Sequence, residues 1–305
     1  MTSTERSTNR LLSTSEGETE ESFSTLDWAL VTFISATWGA SFLLMAIGLD
    51  DFEPGAVTLA RVGFGAITLN LMPAARRRFA PDEQRRILFL GVLWVALPLT
   101  FFPIAQQWID SAVAGMLNAA TPAVTAVVAS IMLRRPPGSR QRLGILVGFI
   151  GVVCISAPTI GDGDTAWLGV MLVIGATLCY GVSINVVAPL QQRHGSLPVL
   201  ARVQMVAAIA VAPWGLYGVN ESSFSWGALA AVMTLGILGT GFAYAAFGQL
   251  IGHVGGTRAS IVTYLIPLVA VVLGVVVRDE SISWLAGLGC ALVLCGAWLS
   301  SRAGR

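Results

Sequence analysis

The polar side chains that could bind or react in this sequence are mostly set singly inside long apolar runs. Trp38, Ser41 and Met45 fall at i, i+3 and i+7 of one run, which places them on one face of a helix. Thr177, Tyr180 and Ile184 form the matching face of a later run, with Asn185 beside it. Asn118, Thr121 and Thr125 make a polar stripe in another. Gln106 and Gln107 end the run before that stripe, Tyr244 and Gln249 lie near the end of the run that begins at Trp226, and Thr263 and Tyr264 lie in the run after it. Hydroxyl, amide and aromatic groups suit reversible recognition of a small polar or amphipathic molecule. Their other use is to join membrane helices, where a hydrogen bond contributes about 0.6 kcal/mol on average.

Arg61 and Arg202 are the charges set well inside apolar runs, each about five residues from a helix start. A head there can snorkel about 7 Å to the interface. Anchoring or gate pairing, for instance with Asp50 or Asp51, is one expectation; contact with an anionic solute group is the other. Pro122 and Pro267 read as paired hinges or as static bends. Gly144 and Gly148 have the GxxxG spacing of close helix contact.

Other chemistries lack their residues. The two histidines, His194 and His253, fall near run ends, too few for a histidine-rich metal or catalytic centre. The four cysteines (Cys154, Cys179, Cys290, Cys295) lie in apolar runs without metal spacing and read as free thiols, so no metal or other cofactor is expected. There is no GxxxxGK[ST] sequence, so ATP is not expected as a direct driver. The acids fall between runs or at their ends, which favours facilitated diffusion or exchange over proton coupling and leaves no paired carboxylates for an enzyme at membrane depth.

The elements that must position these groups are membrane helices. The 305 residues are 55% hydrophobic and 11% charged, against about 25% charged in soluble domains. Crossing about 30 Å of hydrocarbon takes about 20 apolar residues. Ten runs approach this: 28–49, 56–75, 87–109, 112–133, 143–157, 166–190, 197–219, 226–251, 259–277 and 284–299. The fifth is short, with Pro158 and Gly161-Asp162-Gly163-Asp164 expected to close it. The Ser-, Thr- and Glu-rich residues 1–26 read as a disordered cytoplasmic tail. All basic residues are arginine, and they crowd alternate loops: Arg76, Arg77, Arg78, Arg85 and Arg86, then Arg134, Arg135, Arg140 and Arg142, then Arg193, Arg258, Arg302 and Arg305. The other loops carry Asp50, Asp51, Glu53, Asp110, Asp162, Asp164, Glu221, Asp279 and Glu280. The positive-inside rule then puts both termini in the cytoplasm, and the composition suggests a bacterial inner membrane. A net charge of +1 confined to loops gives no reason to expect a nucleic-acid partner; the expected partners are the lipid bilayer and a small-molecule substrate.

The sequence also repeats itself. At a shift of 145, Leu90-Gly91-Val92-Leu93 falls on Leu235-Gly236-Ile237-Leu238, Phe102 on Phe247, Pro122 on Pro267, Gly144 on Gly289 and Gly151 on Gly296. At 141, Leu59-Ala60-Arg61-Val62 meets Leu200-Ala201-Arg202-Val203, and at 142 Trp38-Gly39-Ala40-Ser41 meets Tyr180-Gly181-Val182-Ser183. Each half, 27–158 and 165–300, holds five runs, and an odd number inverts the second copy. The expected fold class is therefore an all-α membrane protein of ten transmembrane helices in two inverted five-helix repeats, a common plan of secondary transporters.

Val262 to Ser300, with Pro267, Glu280, Gly289 and Gly296 in place, resembles the end of an EamA domain, the repeat unit of the drug/metabolite transporter superfamily. Trp38 to Ser41, Arg61 and Arg202 fit the same pattern, and the likeness spans about residues 28–300. Arg134-Arg135 stands where the second copy has Asp279-Glu280, a departure from a symmetric acidic role. The resemblance implies a non-enzymatic carrier, such as an amino-acid exporter, with a central cavity. Trp38, Ser41, Gln106, Asn118, Thr121, Tyr180, Asn185, Tyr244, Thr263 and Tyr264 would line that cavity. A multidrug or nucleotide-sugar-like carrier is the first alternative and a non-transporting scaffold or sensor the second.

Overall fold

The computed structural model describes residues 23–77, 79–132, 134, 136–161, 165–254 and 259–301. The tail through residue 22, Arg78, Leu133, Arg135, Asp162, Gly163, Asp164, Arg258, Arg302 and Arg305 lie outside them. Helices dominate the described residues. We label them α1 (Thr25–Leu49), α2 (Pro54–Leu71), α3 (Pro81–Ala105), α4 (Ser111–Met132), α5 (Ser139–Gly161), α6 (Ala166–His194) and α7 (Ser196–Glu221). α8 runs from Trp226–Thr234 through Leu235–Phe242 into Ala243–Val254, followed by α9 (Ile261–Arg278) and α10 (Trp284–Ser301). Among the described residues, eight helices are long and apolar enough to cross a membrane, and α10 is a shorter apolar one. α2 has 18 residues but carries Arg61 and Asn70, which lower its hydropathy.

Local chemistry accounts for most of the helix ends. α1 starts at Thr25, inside the segment expected as tail, because Ser24 and Asp27 cap each other's backbone N–H groups. α3 starts at Pro81, six residues before its apolar run, with proline in the first turn and Glu83 bonded back to Ala80 N. α5 is not closed by Pro158. It continues to Gly161, and a proline near the end of a helix removes one bond of the last turns without breaking the rest. Large apolar side chains such as Leu71, Ile131, Phe149, Ile209 and Val276 stay exposed on the outer helix faces. Trp28, Trp167, Trp226 and Trp284 mark helix beginnings, where an aromatic belt meets the lipid headgroups.

Several helix contacts recur when the halves are exchanged. α1 packs on α9 as α6 packs on α4, and α2 on the middle of α8 as α7 on the middle of α3. α2 meets α7, and α5 meets α10, each an element paired with its own repeat counterpart. The α5–α10 pair is antiparallel: a Cβ on Gly144 would strike Gly296 O at 2.7 Å, and one on Gly151 would strike Gly289 O at 2.6 Å. Only glycine admits backbones this close. Two segments leave α-helical register for π-helix, Gly91–Ala96 in α3 and Leu235–Phe242 in α8. They sit at matching places of the repeat, and π segments of this kind are frequent at functional sites.

Candidate functional site

Arg61 lies two turns into α2 and its head turns inward. The residue is 9% exposed. Its Nε donates to Thr240 Oγ1 at 3.4 Å and one terminal nitrogen contacts Met45 Sδ at 3.3 Å. Its titratable neighbours are the neutral phenols of Tyr180 and Tyr244. Among the described residues no carboxylate lies within ion-pair distance. Asp50, considered above as a gate partner, is held by Arg278 at 2.6 and 3.0 Å. Thr240 belongs to the π segment of α8, and its hydroxyl donates in turn to Leu235 O, five residues back. α1, α2, α6 and α8 thus meet around one guanidinium whose bonded partners, Thr240 and Met45, are neutral. An uncompensated charge at such depth costs several kcal/mol, which makes the position a functional one by default.

Aromatic rings flank this point in repeat-related pairs. Trp38 packs on Phe247 with centroids 5.1 Å apart, and Tyr180 on Phe102 at 6.3 Å. Trp38 and Tyr180 are counterparts, as are Phe247 and Phe102, so one contact occurs once in each half. Tyr244 closes against Trp38 at 5.4 Å and Trp94 at 6.5 Å. The indole N–H of Trp38 donates to Gly239 O at 2.9 Å, a carbonyl in the π segment. Trp94, Phe102, Thr240 and the buried Gln204, which donates to Val62 O, were not singled out from the sequence. The π segments that present Trp94 and Thr240 leave no mark in apolar periodicity, though the matched Leu-Gly pairs at 90–91 and 235–236 stand at their starts.

The remaining candidates fall into separate places. Ser41 is buried and donates to Thr37 O of its own helix. Asn118 ends the first part of α4, where the helix is interrupted; Thr121 Oγ1 donates back to Asn118 O at 2.7 Å, and Pro122 opens the second part. Pro267, its repeat counterpart, sits inside α9. Asn185 bridges α6 to Thr125 O at 3.3 Å. Thr263 and Tyr264 lie in the first turn of α9, half-buried. Arg202 is exposed, beside Phe79, Gln84, Ile87 and Leu88 near the basic-loop end. Gln106 donates to Phe42 O, while its Oε1 is a buried acceptor without a partner among the described residues. It borders a ≈340 Å³ cavity shared with Asp50, Glu53 and Arg278.

Polar contacts join the halves at both ends of the bundle. At the basic-loop end His253 meets Asp27 at 3.0 Å, and His194 meets Glu83 at 2.9 Å. At the acidic-loop end Glu280 accepts from Ser111 N, Ser111 Oγ and Ala112 N at 3.0, 2.6 and 2.9 Å, capping α4 from the other half. The Arg278–Asp50 pair and the bond from Ser223 N to Asp51 O join the same end.

The chain matches the EamA-like transporter family twice, over residues 26–157 and 167–302. It is 20% identical to an uncharacterized transporter of Archaeoglobus fulgidus over 90% of this chain and 98% of that one. It is 22% identical to the uncharacterized transporter YoaV of Bacillus subtilis, covering 88% and 94%. It is 24% identical to a probable terminal-alkyne amino-acid exporter of Streptantibioticus cattleyicolor, covering 90% and 93%. A solved crystal structure matches in fold with a TM-score of 0.59 at 17% identity, covering 90% and 95%.

Proposed function

This chain belongs to the EamA-like transporter family, and we propose that it is a secondary carrier exporting small zwitterionic or amphipathic metabolites, such as amino acids, across the inner membrane. The observation that carries this reading is the cluster of Arg61, Tyr180, Tyr244 and Trp38. It draws on both halves and lies between two sets of interhalf closures. Breaking one set while keeping the other exposes the cluster to one side, which is alternating access. The antiparallel run of α5 against α10 and the exchange symmetry of the packing support two inverted five-helix repeats. α2 completes ten spans, since 18 residues reach about 27 Å. The exporter name of the Streptantibioticus relative supports outward movement of an amino-acid-like solute.

Facilitated diffusion or exchange remains the preferred coupling, because Asp27, Asp50, Glu83 and Glu280 stand at helix ends, away from Arg61. A multidrug carrier is the runner-up, favoured by the aromatic share of the cluster; a nucleotide-sugar carrier would draw on more cationic side chains, and Arg202 is on an exposed face. The test is flux of radiolabelled amino acids and amphipathic cations in proteoliposomes, with and without a proton gradient. Saturable amino-acid flux indifferent to the gradient is expected. Flux of cations alone transfers the reading to a multidrug carrier, and folded protein that moves nothing supports a scaffold or sensor.

A further inference from the structure

We infer that Arg61 is the recognition point for a carboxylate on the transported solute, an inference that rests on the carrier reading. A guanidinium keeps its proton in proteins and offers five N–H donors in a planar fork that matches a carboxylate. Here two nitrogens meet a hydroxyl and a thioether, neither of which carries charge. Asp27, Asp50, Glu83 and Glu280, acids at the membrane ends, are bound elsewhere, to His253, Arg278, His194 and the start of α4. Tyr180 of α6 and Tyr244 of α8 are the titratable neighbours of the guanidinium, and their phenols are uncharged at neutral pH. A structural ion pair would carry its own acid. This site lacks one, and a solute that brings a single negative charge completes it. One guanidinium suits a carboxylate better than a phosphate dianion, because the repeat counterpart Arg202 faces outward. The rings of Trp38, Trp94 and Phe102 set the remainder of the solute as apolar or aromatic.

Two measurements test this together. The first is thermal stability of the purified, solute-free protein as wild type, Arg61→Met and Arg61→Lys. The second is flux of phenylalanine, phenylalanine amide and phenethylamine in proteoliposomes. If the charge waits for a solute, Arg61→Met melts no lower than wild type, since a neutral side chain of similar length removes an unpaired buried charge. Wild type then moves phenylalanine at least about tenfold faster than the two probes without a carboxylate, and Arg61→Met loses that preference. A clearly lower melting temperature for Arg61→Met, restored by Arg61→Lys, makes the residue structural and overturns the inference. So does wild-type flux that ignores the carboxylate, which leaves the carrier reading standing. Absence of saturable flux for all three probes and for a wider panel removes the carrier reading, and this inference with it.

Discussion

Trp38 shows how one side chain both packs through its ring and bonds through its N–H. Its ring holds Phe247 and Tyr244 in place, and its N–H satisfies a π-segment carbonyl that the regular helical ladder would have used otherwise. Trp38→Phe keeps the ring and loses the bond. It is expected to lower stability by about 0.6–1.7 kcal/mol, read as a fall in melting temperature, with flux largely kept. Trp38→Ala removes the wall beside Tyr244 and is expected to cut flux by about tenfold or more while membrane insertion stays intact. Unchanged flux in Trp38→Ala would take this residue out of the site. The sequence marked Trp38, Tyr180 and Tyr244 through their spacing inside apolar runs. It could not mark Thr240 or Trp94, whose positions depend on a local change of helical register.

At the scale of elements, the closures matter most. Glu280 sits beyond the end of α9, where Asp279 takes a left-handed backbone (φ 54°), and this reversal brings the carboxylate onto the first turn of α4. A carboxylate at a helix N-terminus gains from both the free N–H groups and the helix dipole. Each hydrogen bond to a charged group contributes about 1.5–3 kcal/mol. Glu280→Ala is therefore expected to loosen the acidic-loop end. In a background without the four native cysteines, a thiol placed at the buried Val113 should be labelled at least about tenfold faster, because 1.4 kcal/mol is a factor of ten. Equal labelling would show that this cap does not hold the closure. The role also accounts for the departure noted between the two copies. Arg134 and the acids at 279–280 need not match, because a carboxylate is useful only where an opposing helix start faces it.

For the whole molecule, loop charge and chain inversion make one joint statement about orientation. Cysteines at Pro136, in a basic loop, and Ser223, in an acidic one, are expected on opposite faces of the membrane. A membrane-impermeant thiol reagent added to intact cells should label Ser223→Cys and spare Pro136→Cys until the membrane is opened. Labelling of both from one side would refute the inverted arrangement. The family model matches each half once, and the π segments at 91–96 and 235–242 stand at matching places of those two matches.

The apolar runs, the alternation of arginine-rich and acidic loops and the repeat at shifts of 141–145 were legible in the sequence, because hydrocarbon thickness and charge placement act on each segment alone. Those signals suffice for membrane helices, while the family was legible in the likeness of Val262 to Ser300 to the end of an EamA domain. They did not separate Arg61 from Arg202, which occupy the same place in similar segments. One turns into the bundle and the other toward its exterior, and that difference arises only when α1, α6 and α8 close around α2. Likewise the partners that Asp27, Glu83 and Glu280 find in the other half lie 111 to 226 residues away in the chain, beyond the reach of any local pattern. Tertiary packing decided that Asp27, Asp50, Glu83 and Glu280 are matched while Arg61, among the described residues, is buried without a carboxylate partner.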